Sequence, residues 1–317
     1  MSFSTLNELL LAIILGIVQG ITEFLPISST AHLRLISEFL VHKDIGLAAS
    51  NLIQMGTLVA ILQYFWPELR NLFLHIIKVF SSKKDFSECC HNITTWITGK
   101  SNFRDEKEAD LDILIAQVII ATLPIVIFAL LVRDQVELLR ENILNIAYFL
   151  LAGGLLISIS ELVHKNRKNS LKPSKMGVWE VLVIGGCQCL AVFPGISRSG
   201  ATLAGALFLG RNRQESVRFS FLLSIPALGL AGVYDLIKII KEMSQKSNFI
   251  LPNIQNWSEN TIDLSLISLI IAFLLAYLFG LICLKWLLKY LATNSARVFI
   301  VYRICLASLI FGIVYWI

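Results

Sequence analysis

Two short polar stretches hold most of the residues in this chain that could do chemistry. They read Pro26-Ile27-Ser28-Ser29-Thr30-Ala31-His32 and Pro194-Gly195-Ile196-Ser197-Arg198-Ser199-Gly200-Ala201-Thr202. Gln19 and Glu23 lie just upstream of the first, four residues apart and so on one helical face. A phosphate group would explain so many hydroxyls gathered around one carboxylate, one imidazole and one guanidinium. Serine and threonine are good helix N-caps, and a first helical turn offers unpaired N–H groups and the positive end of the helix dipole. Two such N-termini facing one another, with Arg198 between them, would cradle an anion in a low dielectric. Gly195 and Gly200 would let the backbone approach it closely. His32 follows Ser29 by three residues and Ser28 by four, so its ring can reach a hydroxyl or a phosphate oxygen and move a proton. Glu23 can act as general base, orient His32, or hold a divalent ion on the phosphate. Glu23 and Arg198 occupy matching places in the two stretches. A plain ion pair between them is the blander reading, but it leaves Ser28, Ser29, Thr30, Ser197, Ser199 and Thr202 in excess of need.

The elements that must carry these residues are apolar. Of 317 residues, 56% are hydrophobic and 15% charged, against roughly 25% charged in soluble domains. The mean hydropathy is +0.72. These figures exclude a soluble enzyme, a disordered chain and a secreted disulfide scaffold. The six cysteines (89, 90, 187, 189, 283, 305) show neither metal-ligand nor framework spacing. The net charge of +5 is read by location in a membrane protein and is no nucleic-acid signal.

A crossing needs about 20 predominantly apolar residues. Residues 45–67, 113–132, 142–160 and 264–284 supply charge-free runs, and 217–240 and 298–317 supply interrupted ones. Residues 9–40 and 178–209 are each long enough for about one and a half crossings and are broken by the polar knots. Non-helical backbone at membrane depth requires cover by protein or a water-filled cavity, so each is expected to form a re-entrant helix-loop-helix hairpin. A cleaved signal peptide is the alternative for the first, but no Lys or Arg precedes Arg34, and Glu23 interrupts the cleavage zone.

With both hairpins returning to their side of origin and six spans alternating, eighteen Lys/Arg fall in loops on one face and five on the other. That bias places the first face in the cytoplasm and both termini outside. Gly16-Ile17-Val18-Gln19 upstream of Pro26 parallels Gly185-Gly186-Cys187-Gln188 upstream of Pro194. Three crossings follow each hairpin. The expected fold is therefore an all-α polytopic membrane protein forming one integral membrane domain. Its two halves, about 1–162 and 178–317, are related as an inverted-topology repeat, which places sites near the midplane at discontinuous helices. Asn51 and Gln54 either line the cavity or bond neighbouring helices. Arg211, Arg213 and Arg218 read as a cytoplasmic anchor, and Trp66, Trp96, Trp179 and Trp316 as interfacial residues. Within the cytoplasmic loop at about 68–110, residues 81–110 carry five basic and six acidic residues and read as solvated.

The two knots, with Ile53-Gln54-Met55-Gly56 and Phe219-Ser220-Phe221-Leu222-Leu223, resemble the undecaprenyl-diphosphate phosphatase (bacitracin-resistance protein) family over nearly the whole chain. The resemblance implies a bacterial inner-membrane enzyme that hydrolyses undecaprenyl diphosphate to the monophosphate and inorganic phosphate. This recycles the lipid carrier of peptidoglycan synthesis and confers bacitracin resistance. It also implies that Glu23, Ser29, His32 and Arg198 are the functional positions, and that the enzyme depends on a divalent cation, magnesium or calcium, with Glu23 the residue to hold it. Gln19, Ser28, Thr30, Gly195, Ser197, Ser199 and Thr202 are then the expected substrate contacts. Gln19 stands at the first position of a Glu/Gln-x-x-x-Glu motif, leaving one carboxylate, and Ser50 stands where an acid is expected four residues before Gln54. Ser29 is the expected nucleophile, with His32 moving its proton and Glu23 orienting or activating; His32 or water as nucleophile stays open. The rival class is a polyprenyl-phosphate flippase using the same cradle. A channel fits poorly, because one Arg and one Glu form no filter. The partners expected are the lipid diphosphate, the bilayer and a second copy of the chain as a homodimer, with the site open to the outside.

Overall fold

The computed structural model describes residues 5–100, 103, 105–166, 176–245 and 264–316. Most of the basic loop at 165–175, and Lys246, lie outside the described residues. Within them the chain is helical throughout, with thirteen α-helices: α1 (Thr5–Phe24), α2 (Ser29–Val41), α3 (Gly46–Tyr64), α4 (Trp66–Ser81), α5 (Lys83–Ile97), α6 (Glu106–Leu131), α7 (Arg133–Glu141), α8 (Ile143–Asn166), α9 (Val178–Cys189), α10 (Arg198–Phe208), α11 (Arg213–Gln245), α12 (Leu266–Thr293) and α13 (Arg297–Trp316).

Among the described residues, six helices are long and apolar enough to cross a membrane: α1 over Asn7–Phe24, α6, α8, α11 over Arg213–Tyr234, α12 and α13. Five coincide with spans expected from the sequence; the sixth does not. The run at 45–67 forms α3 and the first residues of α4; α3 is 19 residues long and carries no charged side chain. Its Ser50 and Thr57 are buried, so part of its polar content points into the protein. α1, expected as one arm of a hairpin, also has crossing length on its own account.

Packing is set by small residues. A Cβ added at Gly16 or Gly20 of α1, or at Gly56 of α3, would run into the backbone of α12, so both helices seat directly on that pillar. Gly185 of α9 meets α6 at Ala121 in the way Gly16 meets α12 at Ala272. α13 lies along α8, and α10 is wedged between α8, α9 and α11.

The segment 81–110 is not a solvated loop. Ser82 caps α5 through the N–H groups of Lys84 and Asp85, and Asp105 caps α6 in the same manner. The inner sides of α4, α5 and α6 share a buried polar network: His75 Nε2 lies 2.8 Å from Asp112 Oδ1, and Asn92 Nδ2 donates to Asp112 Oδ2 at 2.9 Å. Burial and a hydrogen bond to Asp112 push the Cys89 thiol up to about 12. Trp66, Trp179 and Trp316 are exposed, but Trp96 is 6% exposed. Its indole N–H donates to the Met176 carbonyl at 2.7 Å. Trp96 therefore serves the core of the insert rather than an interface.

Candidate active site

Both knots resolve into the same local structure. Ser28 caps α2 and Ser197 caps α10, each accepting a hydrogen bond from the N–H three residues on, Ala31 at 3.4 Å and Gly200 at 3.3 Å. Each serine also sits at positive φ, 75° and 72°, with ψ of 99° and 124°. Such backbone costs a non-glycine residue about 1–3 kcal/mol and persists only where its surroundings impose it. The helices start at Ser29 and Arg198, two residues before the apolar runs, so the polar residues form their first turns. Side-chain caps take the N–H groups of Ala31 and Gly200. Those of Ser29, Thr30, Arg198 and Ser199 have no partner within their own helices.

The cap register corrects the pairing expected between the knots. With Ser28 set against Ser197, Gln19 falls on Gln188, Ser29 on Arg198, and Glu23 on Val192. The carboxylate belongs to one knot alone, and the guanidinium stands where the other has its serine.

Glu23, half-buried at the end of α1, is the hub. Its Oε2 accepts from the Ser29 hydroxyl at 2.6 Å and from Gln19 Nε2 at 2.9 Å, and its Oε1 from Gln54 Nε2 at 2.8 Å. One turn of helix brings Gln19 to Glu23, and α3 carries Gln54 across to it. His32 is not bonded to Ser29. Its Nδ1 lies 2.7 Å from the Ser28 carbonyl, which can only accept, so Nδ1 carries the proton. In the neutral ring Nε2 then accepts from the Tyr302 hydroxyl at 2.7 Å, and the two rings stack with centroids 5.6 Å apart.

The second knot is bound to the first. Ser199 donates to the Leu25 carbonyl at 3.3 Å, and a Cβ built on Gly200 would lie 3.4 Å from Pro26 Cβ. Arg198 feels the Glu23 charge electrostatically. No carboxylate among the described residues reaches ion-pair distance of it, and its Nη1 is buried without a hydrogen-bond partner. A buried guanidinium donor left unpaired is costly unless an anion completes it. Ser197 Oγ lies 3.1 Å from Ser199 Oγ. Thr202 turns away: its hydroxyl donates back to the Arg198 carbonyl at 2.8 Å and meets Ser220 of α11. Gly195 takes φ 116°, and a Cβ there would strike the Ile146 carbonyl of α8 at 2.8 Å. Glycine is thus needed for the turn and for packing on α8. Thr30 is the second residue of α2 and half-buried.

No group of three or more His, Cys, Asp or Glu able to hold a metal occurs among the described residues. Glu23 is a single carboxylate, a donor set that suits a magnesium-like ion only when substrate phosphates supply further oxygens.

Sequence reasoning missed Tyr302 and assigned Gln54 no definite role. It also passed over Arg303, which is fully buried and donates to five backbone carbonyls: Leu150 at 3.0 Å, Pro26 at 3.0 Å, Ile196 at 3.0 Å, Gly195 at 2.7 Å and Phe149 at 3.4 Å. The available signal was its position, since a cation inside a span is a functional candidate by default.

Six helices of lipid-crossing length among the described residues, packed around these two knots, define the class: a multi-pass membrane protein. The chain belongs to the family described as bacitracin resistance protein BacA, whose sequence model matches residues 12–309. Undecaprenyl-diphosphatases of Chlorobium limicola (36% identical over 304 residues, covering 94% of this chain and 93% of the relative), Chlorobium phaeovibrioides (35% over 297 residues, 92% of each) and Nocardia farcinica (33% over 313 residues, 95% and 94%) are similar along nearly their whole lengths.

Proposed function

We propose that this chain is a bacterial inner-membrane phosphatase that hydrolyses undecaprenyl diphosphate to undecaprenyl phosphate and inorganic phosphate, returning the lipid carrier to peptidoglycan synthesis and so opposing bacitracin. The Ser29–Glu23 hydrogen bond of 2.6 Å, set beside the unpaired Nη1 of Arg198, carries the reading.

The diphosphate sits between the first turns of α2 and α10, with Arg198 and the free N–H groups on its terminal phosphate. Ser29 Oγ passes its proton to Glu23 Oε2 and attacks the terminal phosphorus. A bond forms from Oγ to phosphorus as the bond from phosphorus to the bridging oxygen breaks, and undecaprenyl phosphate leaves. Charge on the transferring group is met by Arg198 and the helix N-termini, which are already in place. Water then attacks the phosphorus of the phosphoserine, the bond from Oγ to phosphorus breaks as Glu23 returns the first proton to the Ser29 oxygen, and both protons of the water leave with the inorganic phosphate. Gln19 and Gln54 aim the carboxylate. His32, held by Ser28 and Tyr302, lines the cradle. A divalent cation, magnesium or calcium, when bound with the substrate, would be held by Glu23 and would neutralise diphosphate charge.

The reading of the knots as re-entrant hairpins is supported by the lengths of α2 and α10: at 13 and 11 residues they span only about 20 and 17 Å against a hydrocarbon core of roughly 30 Å. Their shared cap geometry, together with the Gly16–Ala272 and Gly185–Ala121 contacts at one register, supports an inverted-topology repeat. Charge asymmetry directs the site to the outer face.

Incubation of the purified protein with undecaprenyl diphosphate labelled in its terminal phosphate tests the proposal. Expected are labelled free phosphate and a trappable label on Ser29. Lipid carried across vesicles with its diphosphate intact would overturn it in favour of a transporter.

A further inference from the structure

We propose that Arg303 is the positioning residue of the active site, a single guanidinium that fixes the two knots in register; the inference rests on the phosphatase reading above. All five of its N–H donors are used, and none on a carboxylate. Pro26 belongs to the first knot and Gly195 and Ile196 to the second, while Phe149 and Leu150 anchor the group to α8. The Ile196 carbonyl immediately precedes Ser197, and the Pro26 carbonyl lies two residues before Ser28. The clamp therefore grips the backbone beside both positive-φ caps. Those caps set where Ser29 and Arg198 begin their helices. One side chain, from a helix that contributes neither knot, thus determines the distance between the nucleophile and the anion donor.

An isolated ion pair would have served stability as well. A guanidinium bonded only to carbonyls keeps its full positive charge near the place where a diphosphate must bind, so the clamp also raises the potential of the cradle. The seat is matched to it. A Cβ at Gly153 of α8 would overlap Nη2 and lie 2.9 Å from Cζ and 2.8 Å from the Ile196 carbonyl. At Gly154 the nearest Arg303 atom would be 3.7 Å away, an ordinary contact.

This difference provides the test. Gly153→Ala suits a helix but displaces both the guanidinium and the second knot, leaving every cradle side chain present. Gly154→Ala is its control. Phosphate release from undecaprenyl diphosphate should fall roughly 100-fold in kcat for Gly153→Ala, the scale expected of a misplacement near 1 Å, with KM little changed. Gly154→Ala should match the parent. Arg303→Lys, which keeps the charge and three donors, should keep more kcat than Arg303→Met. Folded Gly153→Ala protein with parental kcat, or equal losses at 153 and 154, would overturn the proposal. A second measurement requires no turnover: the rate of disulfide closure between cysteines placed at Pro26 and Gly200 under a copper oxidant. Closure should be slower in the folded Arg303→Lys protein than with Arg303 intact, and equal rates would overturn the clamp. If the parent protein releases no phosphate yet closure still depends on Arg303, the phosphatase reading fails and the clamp stands.

Discussion

Three donors converge on the Glu23 carboxylate, and one of them is the hydroxyl that must lose its proton. Glu23→Gln keeps the size of the side chain but can no longer accept that proton. We expect kcat to fall by about 10²–10⁴, the usual contribution of a general base, while helical content is retained; a folded variant with parental turnover would contradict the role. Tyr302→Phe removes one hydrogen bond to His32. Its kcat should fall only a few-fold, in keeping with roughly 0.5–1.5 kcal/mol for such a bond, and a complete loss would show that Tyr302 itself handles the reacting proton. Glu23, Ser29, His32 and Arg198 were legible in the sequence because each is polar where lipid-length runs should be apolar. What that signal could not convey was partnership. Ser28 and His32 are i,i+4 neighbours, so His32 was expected to serve a hydroxyl. Its second partner, Tyr302, lies 270 residues away, and an aromatic in an apolar span looks like core.

Among the elements, the insert α4–α5 shows where composition misleads. Its nearly balanced charges suggested a loop in water, yet His75, Asn92 and Asp112 face inward and tie α4, α5 and α6 together. Polar residues that bond one another inside a small core give a sequence the same polarity as a solvated one. Asp112→Ala strips His75, Asn92 and the Cys89 thiol of their shared acceptor. It should lower stability by roughly 1–3 kcal/mol, read as a drop in Tm in detergent, and an unchanged Tm would show the network to be idle. The long spans α6, α8, α11, α12 and α13 were legible from hydropathy alone. What hydropathy did not show is that α3, read as a plain span, buries Ser50 and Thr57 and turns Gln54 onto Glu23.

For the whole molecule, the proposed orientation rests on the charge asymmetry, and an exposed thiol offers its test. Cys90 of α5 is exposed, whereas Cys89 beside it is half-buried and remains a protonated thiol until about pH 12. A membrane-impermeant maleimide should modify Cys90 only after the cells are opened, and leave Cys89 unmodified on either side at neutral pH. Labelling of Cys90 in intact cells would invert the topology. The larger claim is that residues 23–32 and 194–202, from opposite halves of the chain, make one site. Its most direct measurement is phosphate release from undecaprenyl diphosphate by Ser29→Ala and by Arg198→Ala, compared with the unaltered protein at matched helical content and Tm. Each substitution alone should remove turnover. If either folded variant keeps the parental rate, the two halves do not share an active centre.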